Sequence, residues 1–574
     1  MKVFRNLLLA AISIAIFAGC GAGHKDQQIK STVQFKKGEY VKEFDKFYKS
    51  YVEFMAAASK NSALAYFEAS INSNDENWKK QADFDIVINE YLSNKARFDT
   101  VLAFKQSGEI IDPLKVRQLD LLYNEFAAKQ IDVKLLNELT NMTSAIEGKY
   151  SKFRAEFNGK KLSDNDVEGL LKSSSNNEEL KGVWMAQKKI GPTVAADIIA
   201  LVKKRNEQAK ALGYENYHTM SLTLSEEDPA EIQKLFDELD NLTRDAFKRE
   251  KDKMDEILAK KAGIKKEELM PWNYQNRFFQ EAPAIYDVDL DKYFKGQNLV
   301  KITEDYYKSI GLPIEDMVAK SDLFEKPNKN QHAYCINIDR DALDIRVLCN
   351  VKDNNKWMET MLHEYGHALY EKHYDKELPW NLMNPAHIFT TEAIAMLFGR
   401  MPNNSAWLKD VMKVPDAEIT KIAENVQKTL TLQQLVFSRW SQVMYRFEKA
   451  LYANPDQDLN KLWWELVEKY QMIKKPEGRN EPDWATKIHI ATSPCYYHNY
   501  HLGELFASQL YFKLAGVIGG NGTQDLSFYG KPEVGKFLID NVFSVGAKYK
   551  WQEMIKKATG EELTPKYYAK QFVK

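Results

Sequence analysis

From Glu39 onward apolar residues recur three or four positions apart, and this period restricts the fold more than any other feature. Phe44, Phe47, Tyr48, Tyr51, Val52 and Met55 share a helical face, as do Leu235, Leu239 and Leu242, and Leu462, Leu466 and Tyr470. Gly and Pro are sparse and sit at breaks such as Gly519-Gly520. The expected class is all-α, mainly helical, and segment 172–178 reads as a loop or helix start. One stretch departs from the pattern. Residues 332–338 and 343–349 are rich in Ile, Val, Tyr and Cys, and 339–342 suits a turn, so a small β hairpin is expected there. No internal repeat or low-complexity block interrupts the chain.

With 574 residues and 44% apolar composition the chain can bury a large core, and length alone would suggest several domains. A formal net charge of -1 leaves no basic excess, which argues against a nucleic-acid partner. Oligomeric state is not legible.

The first residues read as a targeting segment. Lys2 and Arg5 precede an apolar run over residues 7–18, followed by Phe17-Ala18-Gly19-Cys20. The run is too short to span a bilayer, so residues 1–19 are expected to be a signal peptide. Small residues before a cysteine resemble a bacterial lipobox, with Phe17 replacing the usual Leu. Cys20 is then the lipidated residue and 20–36 a polar tether. The expected location is the bacterial cell envelope, lipid-anchored. Gly21 in place of an inner-membrane-retaining Asp favours the outer membrane, and the alternative is a soluble secreted or periplasmic protein. With Cys20 acylated only Cys335, Cys349 and Cys495 remain, which is no disulfide framework.

The chemistry concentrates late in the chain. Eight of the ten histidines lie between His332 and His501. Within that span stands His363-Glu364-Tyr365-Gly366-His367. On a helix, positions i and i+4 share a face, so both imidazoles can bind one Zn2+ while Glu364 takes a proton from metal-activated water. The bland alternative is a buried helix with two satisfied histidines. For a third ligand His373 is the tempting choice, but nothing breaks the helix before it. It falls about 240° around the axis from His367 and is expected at the surface. Glu392 is the better choice: Thr390 or Thr391 can cap a new helix and place Glu392 in its first turn. Two histidines, one glutamate and an open position make a catalytic zinc arrangement.

These residues, with their neighbours, resemble the angiotensin-converting-enzyme family of peptidyl dipeptidases, and more distantly the thimet oligopeptidases. The likeness includes Leu462-Trp463-Trp464-Glu465-Leu466, then Asp483-Trp484-Ala485-Thr486-Lys487-Ile488-His489, and upstream Leu212-Gly213-Tyr214-Glu215-Asn216, and covers roughly residues 180–515. The resemblance implies a helical ellipsoid of two subdomains around a deep groove, with 37–574 as a single metallopeptidase domain. It implies one zinc held by His363, His367 and Glu392, with Glu364 as general base. Tyr500 would stabilise the oxyanion. His332 and His489 would hold substrate carbonyls, Lys487 and Tyr497 the terminal carboxylate, and Ala333 and Cys335 the substrate backbone. The implied function is release of C-terminal dipeptides from oligopeptides. The alternatives are internal cleavage of short peptides and a peptide-binding lipoprotein with a degenerate site.

Several positions depart from the family pattern. Met396 replaces an acidic residue expected one turn after Glu392, so another group must orient a histidine ligand. Asn499 and Val467 replace arginines of the family's chloride sites, which argues against chloride. The glutamine that helps hold the substrate carboxylate has no clear match, with Tyr274 or Gln275 occupying its region. Tyr496 reads as ordinary aromatic packing. The family has a cysteine pair near the hairpin, and Cys335 and Cys349, one on each candidate strand, are candidates for a bridge.

Overall fold

A computed structural model of the chain describes residues 30–72, 74–162, 164–326, 329–330, 333–522 and 525–573. The leader, Cys20 and His332 lie outside the described residues. The architecture is mainly helical, with two small antiparallel sheets.

The N-terminal helices are α1 (Tyr40–Ile71), α2 (Asp75–Leu92), α3 (Lys95–Ser107) and α4 (Pro113–Ala127). Each start is written locally. Asn74, Asn94 and Asp112 accept backbone N–H groups of the first turns, and Pro113 occupies the first helical position, where its missing N–H costs nothing. Phe44, Tyr51 and Met55 of α1 meet Phe98, Phe104, Leu122 and Phe126 in one core. Residues at the end of the expected tether pack here too: Ser31 Oγ donates to the Asp99 carbonyl at 2.5 Å, and Phe35 stacks on Phe104 at 5.3 Å.

A second core runs from Leu139 to Phe572 and contains the elements around the histidines. Strands β1 (Ala155–Phe157) and β2 (Lys160–Leu162) form a sheet that the periodicity does not announce. Its signal is the Asn158-Gly159 pair, both at positive φ, the geometry that tight hairpins favour. The expected hairpin is present as β3 (Tyr334–Asp339) and β4 (Asp344–Leu348). Asp339 Oδ1 accepts the N–H groups of Asp341 and Ala342, both at 3.1 Å, and so builds the turn.

The long helix α5 (Pro229–Ala262) is capped by Asp228 and ended by Gly263 in the left-handed region. The remaining site helices are α6 (Asn355–Lys372), α7 (Ile388–Gly399), α8 (Asp416–Ala453) and α9 (His498–Val517). Among the described residues no helix is long and apolar enough to cross a membrane.

Candidate metal centre and substrate groups

Helix α6 places His363 and His367 one turn apart, with ring centroids 5.0 Å from each other. Helix α7 crosses it and presents Glu392, whose Oε2 lies 3.7 Å from the Nε2 of each histidine. The ligand atoms of these three residues all fall within 4.8 Å of one another. The donor set fits a zinc ion. Burial drives the His363 pKa down to about 4 and that of His367 well below the usual range, so both imidazoles are neutral and have a free lone pair. Glu392 Oε2 is buried and has no hydrogen-bond partner, an arrangement that a cation relieves. Burial raises the Glu392 carboxyl to about 7, opposed by the hydroxyl of Tyr496.

Two glycines let the three helices approach this closely. A Cβ on Gly366 would stand 2.9 Å from the Ala395 Cα, so α6 meets the backbone of α7 directly. A Cβ on Gly503 of α9 would stand 3.0 Å from the Glu392 Cβ. The α7 cap differs from the expectation. His387, not Thr390 or Thr391, is the N-cap; its Nδ1 accepts the Phe389 N–H at 3.3 Å, and Glu392 consequently sits in the second turn. Thr391 is thereby free to bond His367 Nδ1 at 2.8 Å. This hydroxyl is the orienting group that Met396 cannot supply.

Glu364 is buried beside the cluster. Burial lifts its carboxyl to about 8, aided by the Glu392 charge and opposed by the Cys335 backbone N–H. Strand β3 therefore runs past Glu364: the Cys335 backbone lies at its carboxyl, and Asn337 Nδ2 donates to Glu371 of α6 at 2.9 Å. Ala333, half-buried, lies just before β3. The three described cysteines are unbridged. Register explains why: Cys335 pairs with Val347, and Cys349 lies beyond the last pair, Tyr334 with Leu348, two residues past the partner of Cys335. His373 stays out of the cluster, as the helix phase requires. It ends α6, bonds the Leu369 carbonyl at 2.9 Å and packs half-buried against Phe543, not at the open surface.

The start of α9 supplies an aromatic line leading from the ligands. Tyr496 donates to Glu392 Oε1 at 3.3 Å, so it supports a ligand and is more than packing. Its ring meets Tyr500 at 5.2 Å, and Tyr500 meets Tyr497 at 5.3 Å. Burial, with the Glu392 and Glu364 charges, raises the Tyr500 phenol to about 12, which keeps its proton available for donation. His489 packs on Tyr497 at 5.4 Å. Lys487 ends the line with its Nζ 5.4 Å from the Tyr497 ring centre, and it donates to Gln280 Oε1 at 2.7 Å. The Tyr497 hydroxyl accepts from Trp440 Nε1 at 2.7 Å.

Gln280 is thus the glutamine beside Lys487. Tyr274 is committed to Lys251 and Asp255, and Gln275 to the Ala284 N–H. No local signal singles out Gln280, since its relation to Lys487 spans 207 residues.

The family model for peptidase M2, angiotensin-converting enzyme, matches residues 39–568. Angiotensin-converting enzyme of Rattus norvegicus is 24% identical over 303 residues, covering 50% of this chain and 22% of that protein. Carboxypeptidase 1 of Bacillus subtilis (strain 168) is 26% identical over 265 residues, covering 41% of this chain and 50% of that protein. The matched part is thus about a fifth of the mammalian relative and half of the bacterial one. Since the family match runs through nearly all the described residues and takes in the His363, His367 and Glu392 cluster, the chain belongs to the angiotensin-converting-enzyme family, peptidase family M2.

Proposed function

We propose that the chain is a zinc-dependent peptidyl dipeptidase that releases C-terminal dipeptides from oligopeptides. The observation that carries this reading is the pairing of buried Lys487 with half-buried Gln280 at the end of the line through Tyr496, Tyr500 and Tyr497. A fixed cation there can hold a substrate's terminal carboxylate, and holding the chain end selects which bond reaches the metal. One named relative is a carboxypeptidase, a name that points to action at a C-terminus.

His363, His367 and Glu392 would hold the zinc, which when bound supplies Lewis acidity that makes water a nucleophile at neutral pH. Glu364 takes the water's proton and passes it to the leaving amine. Tyr500 donates to the oxygen that gains charge in the transition state. Strand β3, from Cys335 onward, offers backbone groups for an extended substrate, and His489, packed on Tyr497, is the group assigned to hold a substrate carbonyl. Mass spectrometry of products from peptides with free and amidated C-termini tests the reading. Dipeptide release that slows sharply on amidation supports it. Equal internal cleavage of both replaces it with the oligopeptidase reading, and release of single residues replaces it with a simple carboxypeptidase.

We also propose that residues 1–19 are removed and Cys20 is acylated, on the strength of the Phe17-Ala18-Gly19-Cys20 pattern. Labelled fatty acid should enter the wild type and not Cys20→Ala, and that variant should leave the membrane fraction.

A further inference from the structure

Glu227 stands in the loop between the short helix Tyr217–Leu224 and α5, outside all the chemistry above. Its side chain is 1% exposed. Oε2 lies 2.7 Å from His498 Nε2, the first residue of α9. Oε1 lies 3.7 Å from His387 Nε2 and has no hydrogen-bond partner. His387 is the N-cap of α7, and because its Nδ1 accepts the Phe389 N–H, its Nε2 carries the proton and has both the Ser225 backbone carbonyl and the Glu227 carboxylate as neighbours. One carboxylate therefore sits at the N-termini of two of the three helices that build the site, α7 and α9. Helix α7 carries Thr391 and Glu392; helix α9 carries Tyr500 and the close Gly503 contact. A negative charge is favourable at both positive helix ends.

The loop itself is held from outside these helices. The Glu227 N–H bonds the Leu222 carbonyl at 2.8 Å. Glu226, at φ +63, pairs its carboxylate with Arg117, and its carbonyl accepts from Trp551 Nε1 at 2.9 Å. Asp228 caps α5. Glu227 is thus a fixed point against which α7 and α9 are set. Burial alone would keep the carboxyl protonated, but the two histidines hold it below its usual range, so it is ionised.

We propose that Glu227 is a positioning residue that sets the α7 ligand Glu392 through His387 and the α9 donor Tyr500 through His498. The proposal rests on the reading of Glu392 as a zinc ligand and Tyr500 as an oxyanion donor. It gives two separable arms. His387→Asn keeps an N-cap acceptor but loses the link to Glu227. It should weaken zinc binding roughly tenfold, within the range for groups that orient ligands, with kcat at saturating zinc within about twofold of wild type. His498→Gln should lower kcat roughly tenfold with KM and zinc affinity within about twofold. Glu227→Gln should show both losses. Zinc affinity is read by competition with a chromophoric chelator, with no peptide present, and thermal unfolding of the metal-free proteins is read alongside.

Unchanged zinc affinity and kcat in Glu227→Gln would overturn the proposal, as would lower unfolding temperatures in all three variants with affinity and kcat intact. If Glu227→Gln does not fold, the two histidine variants decide. Loss of zinc affinity in His387→Asn and of kcat in His498→Gln supports the anchor; the reverse assignment, or no loss, rejects it. If the wild type cuts no peptide, the peptidase reading falls while the zinc titration still decides the α7 arm.

Discussion

The Cβ that Gly366 lacks would stand 2.9 Å from the Ala395 Cα. That near-contact between α6 and α7 sets how far Glu392 reaches toward His363 and His367. Gly366→Ala must push backbone against backbone, and overpacking of this kind costs about 1–3 kcal/mol. The expected result is a lower unfolding temperature together with substoichiometric zinc after purification. Full zinc at wild-type stability would show that the crossing has slack.

Glu364→Gln should retain zinc and the folded state while turnover falls roughly a hundredfold or more, since no carboxylate remains to accept the proton. Metal analysis with steady-state kinetics checks this. Turnover within about threefold of wild type would remove Glu364 from the role of base.

Thr391→Val removes the partner of His367 Nδ1 while keeping side-chain shape. The ring then loses what fixes its orientation and tautomer, and zinc affinity should fall about tenfold to a hundredfold. Chelator competition measures it. Thr390→Val, which alters the cap and not the ligand contact, should fall less.

Lys487→Ala should cost roughly tenfold to a hundredfold in kcat/KM on peptides with a free C-terminus, from the loss of a charge-assisted contact of about 1.5–3 kcal/mol. Amidated peptides never use that charge and should be nearly unaffected. Gln280→Ala removes the group that aims the ammonium and should lose part of the same selectivity. Equal losses on free and amidated peptides would make Lys487 structural only.

Lys487 also sets a pH dependence. Burial pulls its pKa down to about 7, aided by Arg277 and opposed by Glu281 and Glu168. An amine is charged below its pKa and neutral above it, so binding of a free carboxylate weakens as pH rises through this range. KM for free C-termini should therefore climb from about pH 7 upward, and KM for amidated peptides should stay level. A parallel rise in both would place the titration elsewhere.

The local chemistry was readable in advance. The i, i+4 spacing of His363 and His367 on an apolar-faced helix requires only that the helix form, and the same phase argument keeps His373 away from the metal. Glu392 was reached from the capping pattern and then matched by the family likeness, though the cap is His387 and not a threonine, because an imidazole nitrogen serves there as the acceptor. The hairpin was visible from its β-branched runs, but its register was not. The turn spans 340–343, and in the register it sets Cys335 pairs with Val347, so Cys335 and Cys349 miss one another.

The groups that support the site could not be read in this way. Thr391 takes the place expected of an acid, Tyr496 holds Glu392, Gln280 meets Lys487 and Glu227 joins His387 to His498. The sequence by itself determined the helices and the two-histidine ligand face, because contacts within one helix follow from a fixed period. Only the tertiary structure decided the reach of Glu392 toward the histidines, its supports and the pairing of Lys487 with Gln280. Those depend on how closely α6, α7 and α9 pack, which two absent Cβ atoms at Gly366 and Gly503 permit, and on contacts between residues far apart in the chain that no local period encodes.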